Sequence, residues 1–514
     1  MTKKICLYFL FPALFLGGFV TCSPHTPVPE TTKLAQSPAT DSFDLENRVK
    51  RIKLDNGLVV LLLRREGAPV FSVVNRVKVG NVEEVPGAYG LAHFFEHMAF
   101  KGTPTIGTDD FTREEPVLKE LYQVGTQIVR LQGEGDKPEE HASLTQKLDA
   151  LQKQDEALVN QNEFVNLLQR NGGANVNAAT GNDFTSYTVS LPSNKLELWA
   201  YMESERFLHP VMRDFFVEKK VVEEERRMRI DNTPQGLLVE KFLETAFVNH
   251  PYESLVIGPM KDIKAFVPAQ AREFFETYYI PSRMTLALVG NFELADAERI
   301  VRQYFGRLPA KADLGVKEAD AKFVPTGFPQ KVVLEKEDQP RFYLGYHRPA
   351  YRDPDDAVFD FVQQTLCAGR TSRLYQRLVL NEKKAVAVGC FSSFPGIRLN
   401  TLFAFYGTPV PGHTNDDLAK EIRIEVASLA AQGPTPEEMQ KINQTLDAEL
   451  IYDLQASSDL ASKLTFFESL MGDWHHLFEQ QKRYHQVTAE DVKRVTRKYF
   501  VAEREIMAAL EDRK

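Results

Sequence analysis

Apolar and polar residues alternate with two different periods along this chain. A strand-like period opens the ordered part: "RVKRIKLDNGLVVLLLRRE" predicts two strands turning at Asn56-Gly57, a pair suited to a tight hairpin. "APVFSVVNRVKVG", rich in β-branched residues, predicts another strand. Between Asp109 and Arg170 the period becomes helical. Leu118, Leu121, Gly125 and Ile128 fall on one face, as do Leu144, Leu148, Leu151 and Leu158, and "QGEGDKPEE" breaks the run between them. This predicts an antiparallel helical hairpin, packed on the fold or reaching out as an arm to a partner. From "GGANVNAATGNDFTSYTVSLP" the strand period returns as a glycine-led pair, and helices then alternate with strands as far as "RMTLALVGNFE".

A weak internal repeat divides the chain. "VPAQAREFFETYYIPSRMTLALVG" near residue 280 is echoed by "TAEDVKRVTRKYFVAEREIMAALE" near residue 500. Each reads as an amphipathic helix, an aromatic pair and an apolar strand. "LPAKADLGVKEADAKFVPTGFP", Leu308 to Pro329, reads as the connection between halves. The expected organisation is α+β: two similar domains in tandem, 46–310 with a helical insertion at about 109–168, and 329–514, joined by a linker over 311–328. A length of 514 residues, too great for one core, agrees with two domains.

The amino terminus reads as something other than fold. "MTKKICLYFLFPALFLGGFVTC" has a Lys3-Lys4 head and an apolar run ending at Cys22, the pattern of an export signal over 1–22. The run is short for a spanning anchor. Cys22-Ser23 also resembles a lipoprotein cleavage site, with Phe19-Val20-Thr21 a divergent form of the preceding box. Residues 23–45, rich in Pro, Ser and Thr, predict a flexible tether. The expected location is therefore the periplasm or cell envelope, with lipidation at Cys22 as the alternative to simple cleavage. Beyond the signal only Cys367 and Cys390 remain, a pair that could bridge in an oxidising compartment. The net charge of −9 argues against nucleic acid as partner.

Candidate chemistry concentrates in "YGLAHFFEHMAFKGT". His93 and His97, at i and i+4, share a helix face, and both imidazoles can reach one metal. Glu96 lies on the same side and can act on a water without being a ligand. The order His-x-x-Glu-His is the inverted form of the familiar zinc motif. A structural pair of histidines is the plain alternative. A third ligand would come from elsewhere. "FFVEKKVVEEERRMRIDNTPQG" offers Glu218 and Glu225 two helical turns apart, beside Glu223 and Glu224, and periodicity does not choose among them.

These segments together resemble the M16 zinc metallopeptidases, the family of pitrilysin, insulysin and the mitochondrial processing peptidase. "LAHFFEHMAFKGT" is similar to the zinc helix, "NAATGNDFTSY" to the family's Asn-Ala-x-Thr strand, and "EKKVVEEE" to its second, acidic motif. "NHPYESLVIG" and "YYIPSRMTLALVG" add to the likeness, which covers most of residues 46–500. It implies two M16-type domains, the first catalytic and the second without a metal site. It implies one Zn2+ per chain on His93, His97 and Glu225. Glu96 would be the general base, Glu218 would orient a ligand or the helix, and Asn177 and Ala178 would lie on the edge strand that binds extended peptide. His250, His347, His475 and His476 have no such context.

Two departures qualify the resemblance. The interval from His97 to Glu225 is longer than in close relatives, and the helical insertion accounts for it. In the family an Arg and a Tyr from the C-terminal part contact substrate near the metal. Here "SRLYQRLVLNEKKAVAVG" places Val379 and Val386 at those positions. Because two such domains make half of the family's clamshell, the expectation is a zinc endopeptidase acting on peptide substrates, paired with a second M16-like subunit that supplies Arg and Tyr. A homodimer is the alternative. Rival functions are a non-catalytic structural subunit and a peptide-binding envelope protein.

Overall fold

A computed structural model describes residues 45–134, 137–313, 327 and 330–513. The expected export signal, the tether up to residue 44 and most of the expected linker lie outside the described residues. Two sheets form. The first contains β1 (Lys50–Lys53), β2 (Val59–Arg64), β3 (Val70–Val77), β4 (Ala174–Thr180), β5 (Thr185–Pro192) and β6 (Met284–Gly290), in the order β1-β2-β6-β3-β5-β4. The second contains β7 (Gln330–Lys336), β8 (Arg341–Arg348), β9 (Ala385–Phe394), β10 (Thr401–Pro409) and β11 (Glu505–Asp512), in the order β7-β11-β8-β10-β9.

The repeat seen in the sequence is a repeat of topology. β6 inserts parallel to β2 and antiparallel to β3, and β11 inserts parallel to β7 and antiparallel to β8. Each is preceded by an amphipathic helix, Pro268–Tyr278 in one half and Ala489–Tyr499 in the other. The architecture is α+β, two like domains in tandem.

Both sheets are apolar on both faces. In the first, Val60, Leu62, Val73, Leu286 and Leu288 point into a core built with the first domain's own helices. The alternate residues Leu61, Leu63, Val74, Ala287 and Val289 point the other way. Their cover is the helix Ser457–Met471 of the second domain, through Leu460, Ala461, Leu464, Phe467 and Leu470. The arrangement is reciprocal. The second sheet buries Phe342, Leu344, Phe403, Phe405 and Met507 against its own helices. Its other face, with Tyr343, Leu402, Ala404, Ile506 and Leu510, receives Leu238, Phe242, Leu243 and Ala246 from the first domain's helix Pro234–Ala246. Gly345 on β8 makes room for this helix, since a Cβ there would lie 2.8 Å from the Phe242 ring.

Polar contacts close the same interface. Arg51 donates to both oxygens of Glu468, its Nη2–Oε1 distance being 2.7 Å. Arg398 reaches the fully buried carboxylate of Glu83 at 2.9 Å. Within the second domain Cys367 and Cys390 form a disulfide, with Cα atoms 5.8 Å apart.

The segment between the motif helix and β4 is helical, as its periodicity predicts. Helices Phe111–Glu134 and Pro138–Glu156 lie against each other. Gly125 meets the ring of Phe216 so closely that a Cβ would lie 2.1 Å from it. A buried Arg213–Glu114 pair and a Tyr122 hydroxyl donating to Met212 O fasten the hairpin to the domain.

Phe242, fully buried between the domains, should therefore report on both at once. Phe242→Ala is expected to cost about 3–5 kcal/mol. It should shift a single cooperative urea transition; an unchanged midpoint would show that the crossing helices do not couple the domains.

Candidate metal and peptide site

The motif helix runs from Leu91 to Met98. It starts at Gly90, whose φ of +99° and contact with Ile257 O, 2.5 Å from any added Cβ, leave no room for a side chain. Glu84 accepts from the backbone N–H of Gly90 and Ala92 at 2.8 and 2.7 Å, supplying the acceptor that the helix start lacks. Leu91, Phe94, Phe95 and Met98 enter the core, which turns His93, Glu96 and His97 to the other side.

The acidic helix Phe215–Arg226 packs against it, Phe215 meeting Phe94 edge to face at 4.8 Å. Phe215, Phe216, Lys219, Val222 and Arg226 are the buried positions. Lys219 donates to Lys264 O at 2.8 Å, and burial lowers its ammonium pKa to about 8. Arg226 donates to Gly258 O at 2.6 Å and to Glu240. These anchors fix the helix's rotation, and Glu218 and Glu225 then face the histidines. Glu223 and Glu224 pair instead with Arg227.

One ligand atom from each of His93, His97 and Glu225 lies within 4.8 Å of the other two. Glu225 Oε1 is 3.8 Å from His93 Nε2, and Glu225 Oε2 is 3.6 Å from His97 Nε2. Two imidazoles and a carboxylate in this array could hold a borderline divalent ion such as zinc. Glu218 Oε2 lies 3.2 Å from His97 Nδ1, and Lys101 Nζ lies 2.5 Å from Glu218 Oε1. Burial alone would raise the Glu218 pKa, but the His97 contact and the Lys101 charge outweigh it and bring it down to about 2. As a carboxylate, Glu218 takes a hydrogen bond from Nδ1 and sets the ring so that Nε2 faces Glu225.

The two histidines differ. Burial, aided by the charges of His97 and Arg229, pushes the His93 pKa well below its ordinary value. For His97 burial acts in the same sense, but the Glu218 hydrogen bond and the surrounding carboxylates outweigh it and raise the pKa. Glu96 is buried, and its pKa is raised by that burial despite a hydrogen bond from Thr180. Thr180 Oγ1 donates to Oε2 at 2.5 Å, whereas Oε1 is buried with no hydrogen-bond partner.

Among the described residues β4 is an edge strand, paired with β5 alone. Asn177 lies opposite Thr188 and is half-buried; Ala178 lies opposite Tyr187 with its side chain in the core. Ala178 can therefore meet a ligand only through its backbone. Val379 is half-buried against the second core, and Val386 is exposed on β9. His250 and His347 are buried, and burial lowers their pKa values to about 4 and about 3.

Lys101, Arg229 and the contact made by Thr180, the last residue of the Asn-Ala-x-Thr stretch, were not assigned from the sequence. Arg229 Nη1 lies 2.5 Å from Glu225 Oε1. Its position one turn after Glu225 was a readable signal. The Thr180 and Lys101 contacts depend on tertiary structure.

Fold and site thus define a two-domain α+β protein with an inverted His-x-x-Glu-His cluster in its first domain. The family model described as "Insulinase (Peptidase family M16)" matches residues 59–115 and 155–260, and that described as "Peptidase M16 inactive domain" matches 265–446. The gap in the first match falls in the helical hairpin. The chain belongs to the M16 peptidase family. It is 26% identical over 462 residues to the zinc protease PqqE of Helicobacter pylori, covering 87% of this chain and 89% of that protein. The crystal structure of a protease from Helicobacter pylori shares the fold with a TM-score of 0.72 at 24% identity, over 90% of this chain and 99% of that one. The periplasmic protease PqqL from Escherichia coli does so with a TM-score of 0.65 at 18% identity, over 90% of this chain but 47% of that one.

Proposed function

We propose that this chain is a zinc-dependent endopeptidase that hydrolyses extended peptides, with His93, His97 and Glu225 holding one Zn2+. The observation that carries this reading is the convergence of those three donors beside a buried carboxylate, Glu96, that has one oxygen uncommitted. When bound, zinc supplies Lewis acidity toward water and a peptide carbonyl. The chain's own groups do the rest. Glu96 Oε1 takes a proton from the attacking water as its oxygen bonds to the carbonyl carbon, then delivers that proton to the departing amine as the C–N bond breaks. Burial suits Glu96 to this by raising its proton affinity. Glu218 holds the His97 ring. The open edge of β4 at Asn177 and Ala178 accepts the peptide as an added strand, through backbone hydrogen bonds. The second domain serves as support, in keeping with its match to an inactive domain.

The chain corresponds to about half of PqqL, 47% of which it matches. A closed chamber therefore calls for a second half. With valines at 379 and 386 in place of the family's Arg and Tyr, a related chain bearing that pair is the fitting partner, and a homodimer is the alternative. Export is supported by the amino-terminal pattern, by the Cys367–Cys390 disulfide and by the likeness to PqqL, a periplasmic protease.

In the decisive measurement, Glu96→Gln should retain zinc at wild-type stoichiometry while cleavage of an unstructured peptide falls at least about a thousandfold; cleavage near the wild-type rate would remove Glu96 as the base. The purified chain alone should cleave slowly and gain activity when mixed with an Arg/Tyr-bearing M16 chain; full activity alone would overturn the mixed complex. In protein from native cells, Cys367 and Cys390 should resist alkylation until reduced, and freely reactive thiols would count against export.

A further inference from the structure

β4 packs against the motif helix, and the last residue of the strand is Thr180. Thr180 Oγ1 donates to Glu96 Oε2 at 2.5 Å, so of the two carboxylate oxygens one is tied and the other is buried without a hydrogen-bond partner. A carboxylate held at one oxygen presents the other in a fixed direction, and a single bond to a mobile donor would not do this.

The donor here is not mobile. Threonine is β-branched and stiff at χ1, and Thr180 is paired across the turn with Thr185, a fully buried residue whose hydroxyl donates to Val79 O at 3.0 Å. The turn itself, residues 181–184, is gripped from three sides. Gly80 packs so closely beneath it that a Cβ would lie 2.4 Å from Gly181 O. The Tyr252 hydroxyl donates to Asp183 Oδ1 at 2.6 Å. From the second domain, Ile397 N donates to Asp183 Oδ2 at 2.7 Å, Arg398 donates to Asp183 O at 3.1 Å, and Pro395 O accepts from Asn182 at 3.2 Å. Asn177 and Ala178 lie just upstream on the same strand.

We infer that Thr180 is a positioning residue for Glu96, fixing the carboxylate oxygen that receives the proton and linking it to the strand along which peptide binds. This rests on the peptidase reading above. Because the hydroxyl meets Glu96 and none of the metal-binding side chains, its loss separates turnover from binding. An ångström of misplacement at a reacting group costs up to about a hundredfold in rate.

The test compares wild type, Thr180→Val and Thr180→Ser, using cleavage of an unstructured peptide and zinc affinity measured by competition with a chromophoric chelator. Thr180→Val keeps the shape and removes the donor; it should lower kcat about ten- to a hundredfold, with KM and zinc affinity within about twofold of wild type. Thr180→Ser, which restores the hydroxyl, should recover most of the loss. An active wild type with an unimpaired Thr180→Val overturns the inference alone. So does a Thr180→Val whose zinc affinity and KM fail together with kcat, or a Thr180→Ser as slow as the valine variant. A wild-type chain that binds zinc yet cleaves nothing, with or without a partner chain, overturns the peptidase reading and the inference with it.

Discussion

Strands that are apolar on both sides cannot leave either face to water, and in this chain that constraint organises everything else. Each sheet packs one face against helices of its own domain. The second face is covered by a helix lent from the other half, Ser457–Met471 in one direction and Pro234–Ala246 in the other. Neither domain completes its burial alone, so the halves are locked in one orientation. That orientation brings the loop after β9 onto the β4–β5 turn, where Arg398 neutralises Glu83 and braces Asp183. A domain without a metal cluster among its described residues thereby braces the turn that follows Thr180, the residue hydrogen-bonded to Glu96 in the other.

Inside the site the electrostatics are a matter of distribution. Three carboxylates, Glu96, Glu218 and Glu225, crowd two imidazoles, and the cations Lys101 and Arg229 stand at Glu218 and Glu225 respectively. Among the described residues no lysine or arginine stands at Glu96 in the same way. Burial therefore raises its proton affinity, while Glu218, under the same kind of burial, is held strongly ionised. Two glutamates in one site are driven apart by their neighbours, one toward exchanging a proton and one toward holding a charge.

Much of this was legible in the sequence because it depends on local pattern. The inverted histidine motif and the paired glutamates fall on helix faces that period alone defines. The hairpin at Asn56-Gly57, the strand run of β6 and the insertion's two helices could be read the same way. The choice of Glu225 over its neighbours could not be read from periodicity, because it depends on Lys219, Val222 and Arg226 turning inward. The exchange of covering helices was hidden for a related reason: an amphipathic helix shows that it will be buried, but not against which sheet. Ala178 illustrates the limit at a single position. Its place on the edge strand followed from the motif, yet its side chain points into the core because a bulge in the pairing with β5, around Asn175 at φ +54°, resets the alternation of the strand.

The insertion is where sequence and site meet least obviously. Its first helix meets Phe216, a neighbour of Glu218 in sequence, through Gly125, and it holds Arg213 and Met212 through Glu114 and Tyr122. These contacts all lie at the start of the acidic helix or just before it. That helix carries Glu218 and Glu225 together, so its starting point sets the position of both. Arg213 also donates to the backbone oxygens of Lys101, Thr103 and Ile106, the stretch that follows the motif helix. One buried guanidinium therefore ties the exit of the histidine helix to the start of the glutamate helix, and the insertion supplies the carboxylate that allows that charge to be buried. The added hairpin lengthens the chain between the two motifs and, through Glu114, joins them in space.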